Sequence, residues 1–158
     1  MADLFSEMER ERRTLLDVIS GLDDDLMNRK DIIGDWSIKN MLAHFVGWES
    51  WLVQVLPGLL ANGEIPEPLR GAAADEDAWN AMQVVEREEL TPGEQVIELE
   101  RTRTALIEYL RGLDEATLTR PQPWPRWKGT LTGYIFAVTR DHEAAHRKVL
   151  QAALERFA

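Results

Sequence analysis

Apolar residues recur along this chain three and four apart, and no segment alternates as a half-buried strand would. Leu4, Met8, Leu15, Val18, Ile19 and Leu22 mark one face of a first helix over about residues 3–22, stopping at Gly21 or in Asp23-Asp24-Asp25. Ser37 is a suitable N-cap for a long second helix carrying Met41, Leu42, Phe45, Trp48, Leu52, Val55 and Leu56, which Pro57 and Gly58 bend or end. Residues 62–76, with Gly63, Pro66, Pro68 and Gly71, read as the longest loop, and helix signals resume over about 75–89. Thr91-Pro92-Gly93-Glu94 combines an N-cap threonine, a proline at the first helical position and a glutamate three residues on. The helix it opens runs to about Leu110, with Gly112 as its stop. Pro121, Pro123 and Pro125, with Trp124 and Trp127, make residues 119–129 a stiff aromatic loop, and a final helix covers about 132–157. The pattern predicts an all-α, up-down four-helix bundle with an extra short helix, one main helix being open to division in two. A single domain over residues 1–158 is expected.

Composition narrows the function classes. A chain of 158 residues that is 44% hydrophobic and 29% charged can bury a core of its own. Its formal net charge of -10 argues against nucleic acid and against an anionic membrane surface, both of which need a basic face. No apolar run approaches the roughly 18 residues of a membrane span, and the acidic, amphipathic start is unlike a signal peptide. A cytoplasmic protein is expected. With no cysteine, the chain has no disulfide, thiolate ligand or thiol nucleophile, so any thiol chemistry would use a thiol brought by a substrate.

The chemistry-bearing residues are the three histidines, His44, His142 and His146. His142 and His146 stand four apart in Asp-His-Glu-Ala-Ala-His, which on a helix directs both rings from one face. They share the stripe of Ile135, Val138, Thr139, Ala145, Val149, Leu150 and Ala153, and His44 shares another with Met41, Trp48, Trp51 and Val55. All three are therefore expected to point inward. A lone inward histidine is ordinarily a hydrogen-bonded core residue, but three together without partners carry a desolvation cost of about several kcal/mol. A shared divalent metal removes that cost and leaves coordination positions open. Zinc, nickel, iron and manganese all suit such a donor set. Glu49 and Glu143 fall off the histidine face, so three histidines are preferred to two histidines and a carboxylate. Asp141 and Glu143 are expected around the ligands or on the surface.

These segments resemble the DinB superfamily of helical bundles. The matching pieces are Gly34-Asp35-Trp36-Ser37-Ile38-Lys39-Asn40-Met41-Leu42-Ala43-His44-Phe45-Val46-Gly47-Trp48-Glu49, then Trp79-Asn80, then Thr139-Arg140-Asp141-His142-Glu143-Ala144-Ala145-His146. The closest flavour is the DfsB/ClbS-type branch, and the tryptophan-led run into His44 also resembles the mycothiol-dependent maleylpyruvate isomerase group. The resemblance implies a bundle with a divalent metal held by His44, His142 and His146 in a cleft between helices. It implies a metal-dependent hydrolase or thiol S-transferase acting on a reactive small molecule, in a detoxifying role. Other members have no known activity. A non-catalytic stress or ligand-binding bundle, or a dimerising scaffold with a structural or absent metal, therefore stays open beside the enzyme.

Around the histidines, Trp48 and Asn80 are the candidate substrate-binding residues, although Asn80 reads more simply as a helix-start or solvent residue. Trp48 and Trp51 are expected in the core and cleft wall, and Trp124 and Trp127 either at the cleft mouth or against the bundle end. Arg103 lies on the inward stripe of Val96, Leu99, Leu106 and Leu110, where it either snorkels at the bundle edge or pairs with a carboxylate or an anionic substrate. The expected partners are a small molecule, a low-molecular-weight thiol and a second copy of the chain. Met8, Leu15 and Ile19 of the first helix are candidates for that homodimer contact.

Overall fold

The computed structural model describes residues 2–67 and 69–157; Met1, Pro68 of the long loop and Ala158 lie outside the described residues. In chain order the helices are α1 (Ala2–Ile19), α2 (Asp24–Asn28), α3 (Ile38–Asn62), α4 (Arg70–Ala74), α5 (Glu76–Glu86), α6 (Pro92–Arg111), α7 (Glu115–Thr119), α8 (Leu131–Val138) and α9 (Arg140–Leu154), closed by a 3-10 turn at Glu155–Phe157. The fold is the expected all-α bundle, built from α1, α3, α6 and the broken pair α8–α9.

Both predicted capping motifs form. The Ser37 hydroxyl accepts from the Asn40 N–H at 3.0 Å while the Asn40 side chain accepts from the Ser37 N–H at 3.0 Å. Thr91 and Glu94 make the same exchange at the start of α6. Every residue from Ile38 to Gly47 is buried, because α3 lies against α6, α5, α2 and α9. Its crossing with α5 depends on Gly47, since a side chain there would collide with Gln83. Lys39 is buried too, but its ammonium donates to the Glu88 and Leu90 carbonyls at 2.7 Å each.

Two details differ from expectation, and the division left open for one main helix falls in the last one. Helix α3 passes through Pro57 and Gly58 and ends at Asn62, where left-handed Gly63 (φ 75) turns the chain. Pro57 is exposed while Val55, Leu56 and Leu59 around it are buried, so packing on both sides outweighs one lost backbone bond. Part of the long loop coils into α4. The final helix breaks at Thr139, whose hydroxyl donates to the Ile135 carbonyl at 2.6 Å and whose own carbonyl starts α9 by accepting from Glu143 at 2.9 Å. The stiff loop between α7 and α8 is held by isolated bridges, Pro121 to Thr130 and Trp124 to Trp127. The Trp124 indole anchors it to the end of α3 by donating to the Leu59 carbonyl at 3.3 Å.

The core is divided. One apolar cluster gathers Met8, Leu52, Leu106 and Ile135; the other gathers Leu15, Leu42, Leu99 and Leu150. Met8 and Leu15 are fully buried and Ile19 nearly so within the chain's own core, which corrects their reading as a dimer face. Between the clusters lies a charged layer, with one residue from each main helix: Arg12, Glu49, Arg103 and Glu143, each at most 4% exposed. Arg12 donates from Nε to Glu143 at 2.7 Å and from Nη2 to Glu49 at 3.2 Å. Arg103 donates from Nε to Glu49 at 2.6 Å and pairs through Nη2 with both acids. The spare N–H groups reach main-chain carbonyls, Arg12 to Leu99 at 3.1 Å and Arg103 to Met8 at 2.9 Å. Arg103 is thus a carboxylate partner inside the bundle, and no snorkelling residue. Glu143 is likewise an interior ion-pair member, and Asp141 is exposed beside Arg140.

Burial alone would raise the Glu143 carboxyl, but Arg12 and Arg103 more than reverse this and hold it below its ordinary value. Burial would likewise lower the Arg12 guanidinium, and Glu49 with Glu143 drive it up instead. Removing one member strands charge in a dry layer. Arg103→Met is expected to lower unfolding free energy by about 3–5 kcal/mol in urea titrations; a loss under about 1 kcal/mol would show that the layer is hydrated in solution.

Candidate metal centre

Helix α3 brings His44 to the side of α9 that carries His142 and His146. One ligand atom from each ring lies within 4.8 Å of the others, so the group could hold a metal ion. The ring centroids are 4.6 Å (His44–His142), 5.0 Å (His44–His146) and 4.7 Å (His142–His146) apart. Phe45 supports the α9 rings from below, with centroids 5.3 and 5.5 Å away, and Trp36 flanks His44 at 5.0 Å.

Hydrogen bonds around the group determine where the His44 proton is. An indole N–H only donates, so the Asn80 atom 2.8 Å from Trp48 Nε1 must be its carbonyl oxygen. That same oxygen is 2.9 Å from His44 Nδ1, which must therefore carry a proton and donate it. His44 Nε2 is thus left with a bare lone pair, and it faces His142 Nε2 at 2.8 Å. Either a proton on His142 Nε2 or a cation shared by the two nitrogens complements that lone pair.

Burial, then the neighbouring rings, lower His44 to about 3 and His142 to about 4, while the Asn80 bond and Glu143 respectively oppose the shift. Burial also lowers His146. All three rings are accordingly neutral at neutral pH, the state in which imidazole binds metal. Glu49 and Glu143 do not compete as ligands, since both are committed to arginines.

A cleft of about 350 Å3 opens on His44 and His142 and is lined also by Trp48, Glu76, Asn80 and Tyr134. His146 completes the triangle one turn further along α9. Asn80 is therefore neither a cap nor a solvent residue; it accepts from both His44 and Trp48 in the cleft wall. Trp51 is core and cavity wall, its indole donating to the Leu69 carbonyl at 2.9 Å. Trp124 packs the bundle end and Trp127 lines a neighbouring cavity. Tyr134 and Arg126 were not legible as site residues, because the loop that places Arg126 and the break that turns α8 are set by long-range contacts.

Fold and site together define a helical bundle with a three-histidine centre at a cleft. The DinB superfamily model matches residues 7–150, and the chain belongs to that superfamily. Among solved structures it is similar to an uncharacterised protein from Escherichia coli UTI89 (TM-score 0.82, 16% identity, 98% of this chain and 92% of that one). It is also similar to DfsB, described as a sibling lethal factor precursor (TM-score 0.82, 15% identity, 98% and 95%). A third is a Streptococcus pneumoniae protein (TM-score 0.72, 16% identity, 96% and 88%). At these identities the likeness is one of fold. No curated protein matches the sequence. No helix among the described residues is long and apolar enough to cross a membrane.

The lowered histidines give a pH dependence. An unfolded histidine titrates near 6.5, whereas folded His44 and His142 stay neutral to about 3 and 4. Between these values the unfolded chain binds more protons, so this contribution is complete above 6.5 and is lost as pH falls. Chelator-treated protein should lose urea stability more steeply below that pH than its His142→Gln variant, measured across the same series; parallel curves would contradict the neutral cluster.

Proposed function

We propose that this protein binds one divalent metal through His44, His142 and His146 and uses it to transform a reactive small molecule in the adjoining cleft. The observation that carries the reading is the bare Nε2 of His44 facing His142 Nε2 at 2.8 Å, within three imidazoles whose ligand atoms lie within 4.8 Å of one another. A divalent ion bound there supplies Lewis acidity toward water or a co-substrate thiol at neutral pH. Zinc, nickel, iron and manganese suit the donors, and the chain's own residues set what surrounds them.

Asn80 keeps the His44 proton on Nδ1 and so keeps Nε2 free for the metal. Trp48, held by its bond to Asn80, gives the substrate an apolar wall, and Asn80 lies beside it in the cleft. Hydrolysis and thiol S-transfer both fit this arrangement. A closed structural site would need a fourth protein ligand, and among the described residues the group consists of three histidines with a cleft in front of two of them. That favours an open, reactive centre over a purely structural metal. A cytoplasmic setting, a detoxifying role and a homodimer belong to the same proposal.

The test is metal content by mass spectrometry on untagged protein. We expect about one divalent ion per chain, lost in His44→Ala and His142→Ala while helical content persists. Turnover of electrophilic substrates with and without an added low-molecular-weight thiol then separates transfer from hydrolysis. No uptake from zinc, nickel, manganese or iron would sink the reading.

A further inference from the structure

The cleft in front of the histidines does not end at their side of the molecule. A second cavity of about 450 Å3 adjoins it, and Trp51, Ala73, Arg126 and Tyr134 line both. The far chamber is walled by the rings of Trp124, Trp127 and Tyr134. Tyr134 lies 5.3 Å from Trp124 and 5.7 Å from Trp127, centroid to centroid. The indole N–H groups are spent on main-chain carbonyls: Trp51 on Leu69, Trp124 on Leu59 and Trp127 on Thr130. What these rings offer an occupant is therefore apolar surface.

Polar chemistry is concentrated where the chambers meet. Arg126 donates from Nη1 to the Ala73 carbonyl at 2.8 Å, which holds the guanidinium at the waist with further N–H groups to give. Among the described residues nothing hydrogen-bonds the Tyr134 hydroxyl, and burial raises it to about 12, so it remains an O–H donor. Glu76 lines the histidine cleft, and Glu64 and Arg70 stand at the outer chamber. A small polar substrate confined to the histidines would leave the aromatic chamber facing water. A long one would cover it, at roughly 25 cal/mol for each Å2 of apolar surface removed from solvent.

We infer that the two chambers form one binding site for a single elongated molecule, with its flat aromatic or conjugated tail among Trp124, Trp127 and Tyr134, its reactive polar head at His44 and His142, and a carbonyl or carboxylate at Arg126 and Tyr134 between them. The head's position rests on the metal reading above; the tail's position does not.

Two probes separate these claims. 4-Phenylbenzohydroxamic acid and acetohydroxamic acid share a chelating head and differ in the flat tail. On the zinc-loaded protein, calorimetry should find the aryl compound tighter by about tenfold or more. Ala73→Trp, which fills the waist, should remove that advantage with zinc content unchanged. Equal affinities, or an advantage surviving both Ala73→Trp and Trp127→Ala, would overturn the single elongated site. In the metal-free protein, 8-anilinonaphthalene-1-sulfonate should bind saturably and weaken by about tenfold in each of the two variants. Saturable, variant-sensitive dye binding in a chain that takes no zinc would remove the metal reading and uphold the chamber. Absent or variant-insensitive dye binding would overturn the chamber itself.

Discussion

Two arginines and two glutamates, one from each main helix and all shielded from water, cross the middle of the bundle as a closed ring of ion pairs. Their charges cancel, and the remaining guanidinium N–H groups reach the Leu99, Glu100 and Met8 positions on neighbouring helices. Such a layer contributes less net stability than an apolar one of equal volume, because four charges must be desolvated. Its effect is on register. A helix that rotated or slid by one residue would leave a charge buried without its partner, so each helix is held to one face and one height.

That constraint is what brings the histidines together. On α9, Glu143 turns into the charged layer while His142 and His146, on the adjacent face, turn toward α3. On α3, Glu49 meets the same layer and His44, more than a turn earlier, meets the α9 rings. The break at Thr139 lets α9 take this rotation independently of α8, whose Ile135 packs in the apolar cluster and whose Tyr134 faces the cavities. The arginines also occupy both nearby carboxylates, which leaves an all-imidazole donor set. Asn80 then determines which ring nitrogen of His44 is bare. The site is thus built in successive steps, from helix register to ring placement to proton placement.

Much of this was legible in the chain, and the parts that were not have physical causes. The capping boxes at Ser37 and Thr91 are local, so spacing alone finds them. The histidine group was readable because an i,i+4 pair on an apolar stripe has few inexpensive explanations. Helices α2, α4 and α7 have five residues each, too short to show a period. Pro57 misleads because tertiary packing on either side overrides its local preference. The charged layer is hidden because Glu49 and Glu143 read only as lying off the histidine face and Arg12 carries no local signal; their partners stand 37 to 131 residues away. Asn80 was a candidate for the cleft but read more simply as a helix-start or solvent residue, because its two donors come from α3.

The claim on which the rest turns is that His44 and His142 present bare Nε2 atoms to a shared cation. Nitrogen-15 histidine NMR reads it directly. With zinc added, the account predicts protonated Nδ1 in both rings and a metal-induced shift of both Nε2 resonances. A proton on Nε2 of either ring, with no shift on zinc addition, would contradict it.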